Sequence, residues 1–238
     1  MHHIELNHIS HNYQDKKVLS DFSVLFGKGK TTCLIGPTGC GKTTLLRLIA
    51  GLEIPSAGII KVNNKIVSEG GNIIVPPHKR NTGFVFQDLA LWPHFTVKDN
   101  IAFGLRAKKE KNISNRIGEL LDLFHISDKI NKYPHQLSGG QKQMVAIVRS
   151  IVLQPDILLM DEPLANIDTL VKQDILEHVK ELQHRLNFTM LYVTHNHREA
   201  FHTGDTIVVL NEGRILSEGT KDEIINSSDT FITSFLET

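Results

Sequence analysis

The sequence predicts an α/β fold with an antiparallel β lobe and an inserted α-helical lobe, and three observations carry that expectation. A glycine-rich loop, Gly36-Pro37-Thr38-Gly39-Cys40-Gly41-Lys42-Thr43, joins a short apolar strand candidate to a helical stretch. Helix-period spacing dominates from about residue 88 to 153. After Pro155 apolar strand candidates again alternate with helical patterns.

Along the chain, Val18, Phe22, Val24 and Phe26 mostly alternate, as in a half-buried strand. Ile60-Lys61-Val62 and Lys65-Ile66-Val67 flank an Asn63-Asn64 turn and predict a hairpin. Residues 31–35 form the strand before the glycine loop, and residues 42–50 form the helix after it, with Gly51 at its C-terminal end. Ile117, Leu120, Leu121 and Phe124 fall at i, i+3, i+4 and i+7 on one helical face. A strand is expected at 157–160, a helix carrying Ile175, Val179, Leu182 and Leu186, and a strand at 190–194. Ile207 to Leu210 and Arg214 to Leu216 bracket an Asn211-Glu212-Gly213 turn, and Thr220 to Glu223 has the capping-box form that opens a last helix.

Composition sets outer limits. The 238 residues carry zero formal net charge, with 40% hydrophobic and 22% charged residues, an ordinary globular balance. Neutrality argues against a protein that grips nucleic acid through many phosphates. The longest apolar runs, such as 157–160 and 207–210, fall far short of the ~20 residues of a membrane helix. Met1-His2-His3-Ile4-Glu5 has neither a basic nor an apolar leader region, so a cytoplasmic protein is expected. Cys33 and Cys40 read as reduced thiols.

The glycine loop matches G-x-x-x-x-G-K-[ST] and sits between strand and helix, as phosphate binding requires. Glycines let backbone N–H groups wrap phosphates, the helix N-terminus adds partial positive charge, Lys42 reaches the β and γ phosphates, and Thr43 ligates Mg²⁺. Asp161 closes an apolar strand and suits the same metal, which such a carboxylate is expected to hold through water. Glu162 adds a second carboxylate, assigned to polarising the attacking water, with capping of the helix beyond Pro163 as the alternative. Leu137-Ser138-Gly139-Gly140-Gln141 opens a helix that extends to about Val152 and makes a second anion site, best explained by two chains pairing head to tail.

The phosphate loop, Gln87, the Leu137 to Gln141 motif, the Asp161-Glu162 pair, Asp168 and His195, in that order, resemble the ATP-binding subunit of an ABC transporter over essentially the whole chain. The resemblance implies a RecA-like P-loop NTPase core over 1–87 and 154–238 together with the β lobe, and a helical subdomain over 88–153, in a single domain of 1–238. It implies ATP and Mg²⁺ as cofactors. Tyr13 would stack on adenine, or be merely a strand aromatic. The loop residues Gly36 to Thr43 and the adjacent Thr44 would hold the phosphates, with Thr43, Gln87 and Asp161 around Mg²⁺. Gln87 would link that site to the helical lobe, unless it is an exposed loop amide. Ser138 and Gly140 would meet the γ-phosphate held by a partner subunit, with Gly139 and Gln141 in the same nucleotide-binding motif, and Asp168 would cross the dimer interface. His195 would hold the γ-phosphate and the attacking water beside Glu162, unless it is an uninvolved strand-end histidine.

Leu91 to Leu105, beginning Leu91-Trp92-Pro93-His94-Phe95, is similar to the segment that receives the membrane subunit in importers for sugars, polyamines, ferric iron, sulfate and molybdate. Large apolar groups such as Trp92, Pro93 and Phe95 mark a partner site if exposed, or pack within the helical lobe if not. The expected partners are permease subunits contacted between Trp92 and Phe95, a second ATPase subunit forming a homodimer, and, indirectly, an external solute-binding protein; no nucleic acid is expected. The protein would sit on the cytoplasmic face of the cell membrane, and the end at Thr238 resembles short importers without a regulatory module. Met144, Leu164-Ala165-Asn166-Ile167, Asn196 and His197 depart from the family's commoner residues but remove no phosphate, metal or water-activating group. A soluble ATPase of the same class acting on nucleic acid or ribosomes is the alternative function. A metal site involving the histidines is not expected, because no ligand set is completed at recognised spacing, and the twelve other than His195 read as surface residues.

Overall fold

The computed structural model describes residues 2–165 and 167–237. In chain order the N-terminal part holds β1 (His2–Tyr13), β2 (Lys16–Gly27), β3 (Thr31–Ile35), α1 (Lys42–Ala50), β4 (Ala57–Val62), β5 (Lys65–Glu69), β6 (Asn72–Ile73) and β7 (Thr82–Val85). Three helices come next: α2 (Val97–Ala107), α3 (Ile113–Leu123) and α4 (Gly139–Ile151). The remainder is β8 (Ile157–Asp161), α5 (Thr169–Leu186), β9 (Thr189–Val193), α6 (His197–Thr203), β10 (Thr206–Asn211), β11 (Arg214–Gly219), α7 (Lys221–Ile225) and α8 (Thr230–Leu236).

The β lobe is a five-stranded antiparallel sheet in the order β2-β1-β4-β5-β6. Alternation works as expected in it: Phe22, Val24 and Phe26 of β2 are buried and pack with Ile4, Leu6 and Ile9 of β1. Asn63 and Asn64 both adopt positive φ, 50° and 61°, the geometry that a two-residue turn of this hand demands between β4 and β5.

The second sheet has the order β11-β10-β3-β9-β8-β7, parallel throughout except for the edge strand β11. Every residue of β3, β8 and β9 is buried, so these strands are covered on both faces, and their sequences read as unbroken apolar runs. Successive side chains go to opposite cores. Leu34, Ile157, Leu159, Leu191 and Val193 join Leu45, Leu46 and Ile49 of α1 and the β lobe on one side. Cys33, Ile35, Leu158, Met160, Met190 and Tyr192 join Val145 and Val148 of α4, Ile175 and Val179 of α5, and Ile117 and Leu121 of α3 on the other. Because β3, β7, β8 and β9 run parallel, their C-terminal ends lie along one edge of the sheet, where such folds place ligand sites.

Two buried polar side chains anchor irregular segments. Arg80 lies just before β7, is 4% exposed, and donates to the carbonyls of Val75, Leu48, Ile49 and Val67 and to the Ser68 hydroxyl, at 2.7–3.1 Å. It thereby ties the end of the β lobe to the last turn of α1. Asn100 of α2 is fully buried; its amide accepts from the Trp92 N–H at 2.9 Å and donates to the carbonyls of Trp92, Phe95 and Thr96 at 3.1 Å. Asn100→Ala is therefore expected to destabilise the fold by ~2 kcal/mol, because the loop groups it satisfies lose their partner. Chemical denaturation with the 92–96 backbone followed by hydrogen exchange tests this; protection unchanged at Phe95 and Val97 would contradict it.

Several expectations need correcting. His3 and His11 are buried, not surface residues: the His3 ring bonds the Thr189 hydroxyl at 2.6 Å, and His11 bonds the Ile54 carbonyl at 3.0 Å. The helix opened by the Thr220 capping box is only the five-residue α7, and a further helix, α8, comes after it, capped by Asp229 accepting from Phe231 and Ile232. Trp92 and Phe95 are half-buried, packed with Phe103 at ring distances of 4.6 and 6.2 Å and with the Arg149 guanidinium 5.1 Å over Trp92. The two readings of that segment thus merge, since Phe103 itself is 48% exposed. Asn166, one of the departures, and both chain ends, Met1 and Thr238, lie outside the described residues.

Candidate nucleotide-binding site

The loop from Gly36 to Gly41 leaves the C-terminal end of β3 and opens α1. Two of its glycines are obligatory. A Cβ on Gly36, at φ +148°, would lie 2.1 Å from the Leu210 carbonyl oxygen, and one on Gly41, at φ +106°, would meet Leu19 at 2.8 Å. Lys42 is buried to 5% exposure and its Nζ donates to the carbonyls of Gly36 and Pro37 at 2.7 and 2.9 Å, so the ammonium lies within the loop, close to the helix N-terminus. Cys40 Sγ is 3.7 Å from that Nζ; burial pushes its thiol up despite the neighbouring ammonium.

Thr43 Oγ1 donates to Asp161 Oδ1 at 2.9 Å, joining the first turn of α1 to the end of β8. Burial pushes the Asp161 carboxyl above its ordinary 3.8; the Thr43 hydrogen bond opposes the shift and the adjacent Glu162 adds to it. A hydroxyl and one carboxylate, both hard oxygen donors, suit Mg²⁺, which binds through one or two carboxylates and completes its octahedron with phosphates and water. Among the described residues no group of three His, Cys, Asp or Glu side chains forms a metal cluster.

Glu162 is next in the chain, with φ +43° and its N–H bonded to the Val193 carbonyl at 3.0 Å, which couples β8 to the end of β9. His195 stands on that side, and its Nδ1 lies 3.1 Å from Glu162 Oε2. Tyr13 ends β1, 43% exposed, its hydroxyl donating to Glu53 and standing 3.4 Å from Thr44 Oγ1. Glu53 also pairs with Arg47 at 3.3 Å and with His11 at 3.4 Å, and the His11 ring meets Tyr13 edge-on at 4.9 Å. Burial, then the Glu53 contact, raises the Tyr13 phenol, so it stays a donor at neutral pH.

These groups enclose one cavity of about 520 Å³ lined by Tyr13, Thr38, Gly39, Gly41, Lys42, Thr43, Thr44, Gln87, Glu162 and His195, together with Lys16 and Val18. The phosphate-loop side of the sequence-derived set therefore converges here, and Gly36, Pro37, Cys40 and Asp161, outside the lining, are bonded to Lys42 or Thr43. Lys16, Val18 and Glu53 were missed. Val18 was visible only as a strand residue, and nothing in spacing links Glu53 to Tyr13, 40 positions away. Ser138, Gly139, Gly140, Gln141 and Asp168 do not line this cavity. Ser138 caps α4, accepting from the Gln141 N–H at 3.3 Å while Gln141 Oε1 accepts the Ser138 N–H at 3.0 Å. Gly140 faces Val171 of α5, 3.0 Å from where a Cβ would stand, and Asp168 precedes α5 with no side-chain capping bond.

A glycine loop opening a buried-lysine helix beside a Thr–Asp pair, on the C-terminal edge of a parallel sheet, defines a P-loop nucleotide-binding fold. Residues 19–165 match the ABC transporter family, and the chain belongs to it. It is 42% identical over 236 residues to the sulfate/thiosulfate import ATP-binding protein of Chromobacterium violaceum, covering 98% of this chain and 63% of that one. It is also 42% identical over 236 residues to the spermidine/putrescine import ATP-binding protein of Bacteroides thetaiotaomicron, covering 98% and 50%. A solved nucleotide-free ATP-binding cassette from an ABC transporter superposes with a TM-score of 0.84 at 26% identity, covering 99% of this chain and 98% of that one. The chain thus spans between half and just under two thirds of the length of these two curated relatives.

Proposed function

We propose that this chain hydrolyses ATP to drive solute uptake by an ABC importer at the cytoplasmic face of the cell membrane. The observation that carries the reading is the meeting, in one cavity, of the Lys42 and Thr43 phosphate site with the Glu162–His195 pair. The relatives' names favour import over action on nucleic acid or ribosomes, and zero net charge agrees.

In this reading Tyr13 stacks on adenine, and the backbone N–H groups of Gly39 to Thr44 take the phosphates at the N-terminus of α1. Lys42 Nζ exchanges its carbonyl acceptors for β- and γ-phosphate oxygens. Thr43, Asp161 and Gln87 would hold Mg²⁺, which would supply positive charge against that developing on the transferred phosphoryl group. Glu162 accepts the proton of the attacking water, and His195 orients that water and the γ-phosphate. Ser138, Gly139, Gly140, Gln141 and Asp168, standing outside the cavity, serve the nucleotide of a second copy of the chain. ATP favours the closed pair because only there are both sets of contacts made, and hydrolysis removes that preference. The segment 88–153 acts as a mobile helical subdomain, with Gln87 as its link to the γ-phosphate and the surface around Trp92, Phe95 and Phe103 receiving permease subunits that work with an external solute-binding protein.

Affinity purification from detergent-solubilised membranes, with mass spectrometry of what co-purifies, tests the reading. A polytopic permease supports it; ribosomal or DNA-associated proteins with no membrane partner overturn it. Asp161→Asn supplies a second test. Its raised pKa means that the buried ionised form is disfavoured in the fold, so its contribution to stability falls as pH rises from its ordinary value through the folded one. Removing the charge is therefore expected to leave the melting temperature of the nucleotide-free protein at pH 7 unchanged or higher, while Mg²⁺-dependent ATP turnover falls by 100-fold or more, on the order of ~3 kcal/mol. A lower melting temperature would contradict the electrostatic account.

A further inference from the structure

Behind the His195 turn lies a polar cluster that the phosphate chemistry does not use. Glu199, on α6, is 8% exposed. Its Oε1 accepts from Lys172 Nζ at 2.6 Å, and its Oε2 accepts from the hydroxyls of Tyr192 at 3.0 Å and Thr194 at 2.9 Å. Thr194 Oγ1 in turn accepts the Asn196 N–H at 3.0 Å, and Asn196 Oδ1 accepts the N–H groups of Arg198 and Glu199 at 2.9 and 3.2 Å. His195 is thus bracketed by two residues whose side chains are both held to Glu199, one through its hydroxyl and one through the Glu199 backbone.

The other end of the cluster reaches α5. Lys172 lies one turn into that helix, its N–H bonded to the Asp168 carbonyl at 2.9 Å. A small cavity of about 100 Å³ lies among Glu162, Ala165, Lys172, Thr194, His195 and Glu199, so the ion pair and the Glu162–His195 pair border the same space. A well-shielded ion pair is weak evidence for stability, since the cost of desolvating both charges offsets their attraction. It does impose one geometry, because Glu199 has both carboxylate oxygens committed. Tyr192 and Thr194 fix it to the end of β9, and Lys172 fixes it to the start of α5.

We propose that the Lys172–Glu199 pair is a positioning device: it joins the Asp168 end of α5 to the turn carrying His195, so that a shift of α5 is felt in the alignment of His195 with Glu162. The consequence for turnover rests on the ATPase reading above; the linkage itself does not. Neither residue lines the nucleotide cavity, and both act through His195.

The test uses the full chain with Lys172→Met, Glu199→Gln, the double variant and Lys172→Arg. The first readout is the ¹⁵N signal of the His195 imidazole in histidine-labelled protein, assigned by its loss in His195→Gln. The second is the separation of kcat from KM for ATP. The His195 signals are expected to move in Lys172→Met and Glu199→Gln and to return to the parent position in Lys172→Arg. The kcat of the two neutral variants is expected to fall about tenfold or more, the scale of a small misplacement of reacting groups, with KM within about twofold. The double variant should be no slower than the slower single one, because both changes cut the same link. Unmoved His195 signals in folded Lys172→Met protein would overturn the proposal, as would a loss of kcat matched by an equal loss of ATP-binding sites. Should Glu199→Gln fail to fold, Lys172→Met decides alone. A parent chain that hydrolyses no ATP, but whose His195 signals respond as stated, removes the ATPase reading and leaves the linkage standing.

Discussion

Glu162→Gln is expected to slow ATP hydrolysis by about 10²–10⁴-fold, the usual contribution of a general base, while ATP binding and ATP-dependent pairing of two chains persist. The substitution keeps the size and one acceptor oxygen and removes the negative charge and with it the ability to accept a proton. The backbone that aims this side chain is held independently of its charge, because the Glu162 N–H is bonded to the Val193 carbonyl at 3.0 Å. A glutamine amide can still meet His195 Nδ1, 3.1 Å away in the parent. Lys42 and Thr43, the proposed phosphate ligands, belong to α1 and are untouched. ATPase assay beside size-exclusion chromatography with ATP makes the measurement. Full turnover would take the base role away from Glu162, and loss of ATP binding would show that its charge organises the loop instead.

The largest effect on stability is expected from Arg80→Met, a loss of about 3–5 kcal/mol, because several buried acceptors lose their donor at once, each at about 1–3 kcal/mol before relaxation and water entry. Four carbonyls and the Ser68 hydroxyl lose their donor together, including Leu48 and Ile49 in the last turn of α1, where helix carbonyls have no partner within the helix. Burial pushes the Arg80 guanidinium down to about 10, so it remains charged at neutral pH and offers charge-assisted bonds to all five acceptors. Because α1 carries the phosphate loop at its other end, loosening its C-terminal anchor should also weaken ATP binding. Thermal denaturation should show a melting temperature lower by roughly 10 °C for a chain of this length. A shift of less than about 2 °C would mean that water replaces the guanidinium in the gap.

Local signals were legible to within a residue or two. The phosphate loop, the α1 boundaries, the Asn63-Asn64 turn and the Ser138 cap each depend on dihedral preferences or hydrogen bonds spanning a few positions, and those are written in consecutive residues. The apolar runs of β8 and β9 were readable as strands for the same reason, and the structure adds that both of their faces are covered. The histidines differ because burial depends on what packs above a strand. His3 and His11 sit in β1 beside surface-compatible neighbours, and only the contacts with Thr189 and Glu53 reveal that they are enclosed. The helical expectation at Thr220 stopped short for a similar reason: a capping box marks where a helix begins and carries no information on its length or on the element after it.

The amino-acid sequence by itself determined the phosphate-binding loop, the strands and helices nearest to it, and the residue types available for phosphate and water chemistry. The resemblance already set Thr43 beside Asp161 and Glu162 beside His195; tertiary structure decided their direct hydrogen bonds, across 118 and 33 positions, and it alone brings Tyr13 to Glu53 across 40. Such pairs depend on the order and register of parallel strands and on the seating of the β lobe against α1. Those are properties of the assembled sheet and its two cores, in which no short stretch of chain has a share large enough to read.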